Sequence, residues 1–248
     1  MRRGHRPSQA PAGRPRFWGR HAVAAALANP ERIVRRIWVT REAAAGFGGF
    51  PPHIPATYAD VADLGRLVPH DAPHQGIVIE VDPLEDVWLG DLLEQGADNQ
   101  RPLLVLDQVT DPHNVGAILR SAAAFGALGI VTQDRHAPSE SGALARSASG
   151  ALEFVPWVRV VNLARALGEI GEAGYWRIGL SGHGPRPLAQ AIGSARVALV
   201  LGAEGEGMRQ NTAAHCDELA KLPISPKIES LNVSNAAAIA LYAVAARP

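Results

Sequence analysis

Three short stretches hold residue types suited to chemistry. The first, DPHNVGAILRSAAAFG (residues 111–126), reads as a capped helix whose Val115, Ile118, Leu119, Ala122 and Phe125 gather on one core-facing side. Arg120 stands nearly opposite, among Gly116, Ala117, Ala123 and Ala124. A solvated face would carry Glu, Lys or Gln. A single guanidinium on a face cleared of bulk points to something lying close against the helix, and arginine suits phosphate binding.

The second stretch, LGAEGEGM (residues 201–208), spaces its glycines G-x-x-G-x-G. That is neither the dinucleotide fingerprint G-x-G-x-x-G nor a P-loop ending in Gly-Lys-Ser/Thr. Three glycines still allow a ligand to approach the backbone closely. Glu204 and Glu206 repel phosphates and favour a cationic or hydroxyl-rich ligand. Taken alone, the loop reads first as a tight turn with exposed carboxylates, and a ligand site second. The third stretch, LPISPKIESLNVSNAAA (residues 222–238), leads into a helix that Ser230, Asn232 or Ser234 could cap. The run Ala236, Ala237, Ala238 leaves one side of that helix bare for close packing, between helices or between chains.

Other chemistry is poorly represented. Cys216 is the only cysteine, which excludes a disulfide framework and a Cys-based zinc site. Of the nine histidines only His70 and His74 are spaced H-x-x-x-H, and Pro73 between them disfavours the helix that would present both on one face, so no metal is expected. His113 reads as a turn or cap residue rather than a base. With five Trp, five Phe and three Tyr, stacking platforms for single-stranded nucleic acid are not evident.

The elements that must position these residues follow from pattern. Apolar strands at LLVLD, LGIVT, YWRIGLS, RVALVLG and ELAKLPI alternate with helices at residues 114–125, 162–174 and 232–246, and a shorter helix lies near residues 209–215. FVPWVRV reads as extended and SESGALARSASGA as a helix. Short apolar strands between helices predict an α/β fold with a parallel sheet covered on both faces, whose ligands bind at the carboxyl ends of the strands. Before this region, a helix over residues 19–29, a strand over 32–40, a helix over 56–68 and a strand over 74–81 predict a smaller α/β unit. One short helix and a polar, proline-ended linker follow it.

The chain has 248 residues, with 24 basic and 24 acidic side chains. Six arginines (Arg2, Arg3, Arg6, Arg14, Arg16 and Arg20) fall in the first twenty residues with no acid, leaving 18 basic against 24 acidic residues in the remainder, a net of −6. A basic arm on a mildly acidic body suits a polyanionic partner; a leader without function is the alternative. No apolar run reaches the ~18 residues of a membrane span, and residues 1–20 lack the apolar segment of a secretory signal. The expectation is a soluble, cytoplasmic protein.

Together, in this order, the three stretches resemble the motifs of the SpoU class of RNA ribose 2'-O-methyltransferases, within the SPOUT superfamily. The likeness extends from Pro102 onward, and residues 19–81 are similar to the small L30e-like RNA-binding domain found in that class. Within it the chain is most similar to the RlmB-like enzymes, which methylate a guanosine ribose in 23S ribosomal RNA. One departure is SPKIES, where those proteins often carry a glycine-containing loop and this chain has Pro226.

The resemblance implies four segments: a basic arm over 1–16, an L30e-like domain over 17–82, a linker over 83–101 and a methyltransferase domain with a C-terminal trefoil knot over 102–248. It implies S-adenosylmethionine bound at Leu201, Gly202, Leu222, Ser230 and Leu231, largely through backbone, and a homodimer whose subunits both contribute to each site. Asn114, Arg120, Glu204 and Asn232 fall at the catalytic positions, Arg120 either as the base that takes the hydroxyl proton or as a charged stabiliser. RNA is the expected partner, with no membrane and no metal. A transfer-RNA ribose methyltransferase and a non-catalytic RNA-binding protein on the same fold are the competing readings.

Overall fold

The computed structural model describes residues 13–247, in two units. Of the basic arm, Arg2, Arg3 and Arg6 lie outside the described residues. The other three arginines are built into the first unit, so the expected arm over 1–16 does not hold at its end. Arg14 Nε donates to Asp82 at 2.6 Å, and Arg16 opens strand β1 (Arg16–Trp18) and donates to the Leu67 carbonyl at 3.0 Å. Arg20 begins helix α1 (Arg20–Ala28). Phe17, fully buried, is what draws this stretch into the core.

The first unit continues with β2 (Val34–Val39), α2 (Arg41–Ala45), β3 (Ala56–Tyr58), α3 (Val61–Gly65) and β4 (Ile77–Val81), in a sheet of order β1-β4-β2-β3. The single helix expected over 56–68 is two elements. Residues 56–58 pair in parallel with Ile37, Trp38 and Val39, and Asp60 caps α3 by accepting from Asp63 N at 2.8 Å. Pairing with a distant strand overrides the local helical pattern. Ser139–Gly142 also belongs to this unit. There Glu140 accepts from Arg32 Nη1 at 2.7 Å and from Leu84 N at 3.1 Å, with both ionic side chains almost wholly buried.

The second unit begins at Glu85, inside the expected linker over 83–101 and near its start. Helix α4 (Leu89–Gln95) is not linker. Its Leu89, Leu92 and Leu93 share a core cluster with Leu103, Val105, Leu167 and Val200. The spacing Leu89, Leu92, Leu93 is one helical face, and burying each such side chain is worth roughly 1.5–3 kcal/mol.

Seven parallel strands form the sheet: β5 (Leu103–Asp107), β6 (Gly129–Gln133), β7 (Trp157–Val160), β8 (Tyr175–Leu180), β9 (Arg186–Pro187), β10 (Arg196–Gly202) and β11 (Glu218–Lys221), in the order β7-β6-β5-β10-β8-β11-β9. Alternate residues of β5 and β10 face opposite layers. Leu103, Val105, Ala198 and Val200 join the layer of α4 and α7 (Leu163–Glu172). On the other layer α5 (Pro112–Ala124) packs on α10 (Val233–Ala245), with Ile118, Leu119, Ala237 and Leu241 fully buried. Helices α6 (Gly142–Ala148), α8 (Leu188–Ala191) and α9 (Gln210–Ala213) complete the chain. The chain runs outward from β5 through β6 to β7, and β10 later returns beside β5. The strand order therefore reverses between β5 and β10, and the crevice at their carboxyl ends is where such sheets bind ligands. No described helix is long and apolar enough to cross a membrane.

Candidate active site

All three motifs end in that crevice. Asp107 and Gly202 are cross-strand partners at the last rungs of β5 and β10. From β5 the chain passes through Gln108, a non-glycine residue at φ +60°, to Asp111, which caps α5 by accepting from His113 N at 2.9 Å. Pro112 occupies the first turn, where its missing N–H costs nothing. This entry sets Asn114, half-buried, on the first turn of the helix.

From β10 the chain makes a narrow hairpin. Ala203 and Gly207 form an antiparallel bridge, with Gly207 N donating to the Ala203 carbonyl at 2.9 Å. The hairpin folds back so tightly that a Cβ on Gly202 would sit 2.0 Å from the Gly207 carbonyl carbon and 2.1 Å from Met208 N. The bareness of Gly202 is thus required by the chain's own backbone. Glu204 stands exposed at the tip.

Asn232 caps α10 through its carbonyl oxygen, which accepts from Ser234 N at 2.9 Å and Ser234 Oγ at 2.6 Å. Because the oxygen is committed to the cap, the amide nitrogen must face the other way. It donates to Asn114 Oδ1 at 3.0 Å and to Glu204 Oε2 at 3.2 Å. Both hydrogens and the oxygen of this one side chain are engaged. Three of the four expected catalytic residues therefore meet, although Asn114 and Asn232 are 118 positions apart. The Asn114 amide nitrogen and the second Glu204 oxygen make no hydrogen bond among the described residues.

Arg120 is not part of this cluster. It lies six residues after Asn114, about 9 Å further along the helix and a third of a turn around it. It is exposed and makes no hydrogen bond or ion pair among the described residues. The reading of its bare face needs one correction. Gly116 is buried, and a Cβ there would meet Leu144 O at 2.5 Å and Ser147 Cβ at 2.6 Å, so its smallness serves the packing of α6. Ala117 and Ala123 are half-buried and Ala124 is exposed; these leave the helix accessible beside Arg120.

The residues expected to hold a cofactor line the same end of the sheet. Leu201 is buried in β10, Leu222 and Leu231 are half-buried on either side of the last loop, and Ser230 is exposed. Burial pushes the Cys216 thiol up to about 12, which keeps it protonated and inert. No group of three or more His, Cys, Asp or Glu among the described residues could hold a metal ion.

The sequence reading overlooked a buried charge. Asp107, with no exposed surface, accepts from Arg209 N and Arg209 Nε, each at 2.9 Å, and the guanidinium also donates to Gln133 Oε1 at 2.8 Å. The available signal was an acid closing an otherwise wholly apolar strand.

The model of the SpoU rRNA methylase family matches residues 101–242. The chain is 36% identical over 243 residues to the 23S rRNA (guanosine-2'-O-)-methyltransferase RlmB of Pseudomonas aeruginosa, covering 92% of this chain and 95% of that one. It is 39% identical over 244 residues to the uncharacterized tRNA/rRNA methyltransferase slr0955 of Synechocystis, covering 92% of this chain but only 61% of that relative's length. Among solved structures, the SpoU methyltransferase AviRb from Streptomyces viridochromogenes in complex with the cofactor AdoMet superposes with a TM-score of 0.79 at 24% identity, covering 94% of this chain and 90% of that one. At that identity the likeness is one of fold.

Proposed function

The chain belongs to the SpoU rRNA methylase family, and on that footing we propose that it methylates the 2'-hydroxyl of a guanosine ribose in 23S ribosomal RNA, with S-adenosylmethionine as donor. The observation that carries the reading is the hydrogen-bonded meeting of Asn114, Glu204 and Asn232 at the switch point of the sheet.

The residues present suit the donor. The hairpin over residues 203–207 carries two exposed carboxylates and no basic side chain, an environment for a cation rather than for phosphates. Leu222 and Leu231 offer apolar edges for a purine, Leu201 and Gly202 end β10, and Ser230 lies in the last loop two residues before the Asn232 cap. Bound there, S-adenosylmethionine supplies a methyl group activated by its sulfonium.

The chain's own groups then align the acceptor, which is where most of the rate of a displacement reaction arises. Asn114, its oxygen held by Asn232, points its amide N–H groups at an incoming ribose oxygen. Glu204, half-engaged by Asn232, keeps an oxygen for the donor or for a ribose hydroxyl. A guanidinium donates and does not accept, so Arg120 serves as a charged grip on an RNA phosphate and on the developing alkoxide.

Since Arg120 lies apart from the cluster in its own chain, a second copy brings it to the site. The protein in this reading is a homodimer. Its contact includes the outer side of α10, where Ile239 is 46% and Tyr242 62% exposed. The C-terminal trefoil knot belongs to the same reading, as does work in the cytoplasm, where the ribosomal substrate is made.

The test is to map 2'-O-methyl groups in total RNA from cells with and without the protein, then to methylate the corresponding transcript in vitro. The expected result is one guanosine of 23S RNA that loses its mark. Loss of a mark from transfer RNA instead would transfer the assignment to the other substrate class, and no lost mark would overturn the enzymatic reading.

A further inference from the structure

Two of the three segments that build the cluster are tied together by a pair of residues that themselves lie outside it. Asp107 ends β5, from which the chain leads to Asn114. Arg209 follows the hairpin that leaves β10 and bears Glu204, and it occupies the capping position of α9. The Asp107 carboxylate is fully buried, and its polar contacts among the described residues all come from Arg209: the backbone N donates to Oδ2 and Nε to Oδ1, each at 2.9 Å, with Nη2 2.6 Å from Oδ1. The guanidinium also reaches Gln133 at the end of β6, and Gln133 Nε2 donates in turn to the Val161 carbonyl at 3.1 Å.

We infer that Asp107 and Arg209 form a positioning clamp that fixes the separation of Asn114 and Glu204, so that Asn232 can bridge them. The glycine hairpin is held at its start by β10 and at its end by Arg209. Within it Gly205 and Gly207 adopt φ +83° and +71°, conformations with little stiffness of their own. On the other side Gln108 is held at φ +60°, a conformation that costs a side-chain-bearing residue free energy and persists only where its surroundings enforce it. One buried carboxylate restrains both. It can do so because a guanidinium fork and a backbone N–H together satisfy its two oxygens, which a lysine in the same place could not do. Arg209 is a positioning residue, since it touches none of the three clustered side chains.

The clamp rests on the proposed methyl transfer for its purpose but not for its detection, so the experiment reads both. Hydrogen exchange of the Gly207 amide, bonded to Ala203, reports the hairpin with no substrate present. Arg209→Lys and Arg209→Ala are compared with the unaltered chain, then assayed in single turnover with saturating S-adenosylmethionine and RNA.

Both variants are expected to accelerate Gly207 exchange. The methylation rate should fall roughly ten- to a hundredfold, the scale of a small misplacement of reacting groups, with a much smaller change in the KM for RNA. A cleft of about 290 Å³ opens beside Arg209, lined by Gln133, Asn162 and Thr212. Millimolar guanidinium should therefore reach the vacated position in Arg209→Ala and restore part of the lost rate, which a general loss of folding would not allow.

If Arg209→Ala does not fold, Arg209→Lys, which keeps a cation beside Asp107, decides the matter alone. Unchanged Gly207 exchange in a folded variant overturns the clamp, as does a methylation rate within twofold of the unaltered chain. Accelerated exchange in a protein that methylates no RNA at all would leave the clamp standing and remove the methyltransferase reading instead.

Discussion

Replacing Asn232 separates two jobs held by one side chain. Its oxygen caps α10 and its nitrogen joins Asn114 to Glu204. Serine at this position keeps a capping oxygen, since Asn, Asp and Ser cap about equally well, but has no amide to span the two neighbours. Alanine removes both functions. Loss of the cap costs about 1 kcal/mol. For a chain of this size that lowers the melting temperature by about 2–4 °C. Loss of a preorganised donor in a site costs about 10²–10³ in rate.

Asn232→Ser should therefore melt close to the unaltered protein and still lose roughly a hundredfold in single-turnover methyl transfer. Asn232→Ala should show the same kinetic loss together with the lower melting point. Scanning calorimetry and transfer of radiolabelled methyl groups to a 23S transcript measure the two effects. Methylation by Asn232→Ser within twofold of the unaltered rate would refute the bridge. Equal melting of the Ser and Ala variants would refute the cap.

Three further outcomes follow from the geometry. Arg120→Lys should fold and bind S-adenosylmethionine yet lose roughly a hundredfold in turnover, because an ammonium cannot reproduce the fork; wild-type rates in Arg120→Ala would show the residue to be merely solvated. Ile239→Glu combined with Tyr242→Glu should give folded monomers in sedimentation experiments, since both side chains point outward, whereas a bulky replacement of fully buried Ala237 should disturb the fold itself. The Asp217 carboxyl is held below the usual range chiefly by its hydrogen bonds from Arg177. Its contribution is therefore fully present above the unfolded value near pH 4 and lost as pH falls through the lower folded value, so Asp217→Asn should flatten the acid limb of a melting-temperature profile.

What could be read from the sequence was what local chemistry decides. Asp111 followed by Pro112 announced α5 within two residues, and the five strands from LLVLD to ELAKLPI were visible as apolar runs. Asn232 was one of three candidate caps, and the geometry selects it. The parts that escaped depend on partners far along the chain. Residues 56–58 read as helix until β2 pairs with them, and the short helix expected between the two units read as part of a linker until the sheet gives its leucines a surface to cover. The small side chain at position 116 looked like clearance for a ligand, while α6 is what occupies the space. Asp107 and Arg209 are 102 positions apart, and nothing near either one announces the other.

The strand order has a consequence for how the protein comes into being. A chain emerging from its N-terminus makes β5, β6 and β7 first and β8 next, yet β10 must later lie between β5 and β8. Until it does, two apolar strands have open edges inside what will become the centre of the sheet. Such edges pair readily with the wrong chain, and long-range parallel pairing is slow to form. Glu204 arrives only with β10 and Asn232 only with the last helix, so no partial product of synthesis holds an assembled cluster. The activity of a molecule of this design is thus a certificate that β10 was inserted and the final helix docked.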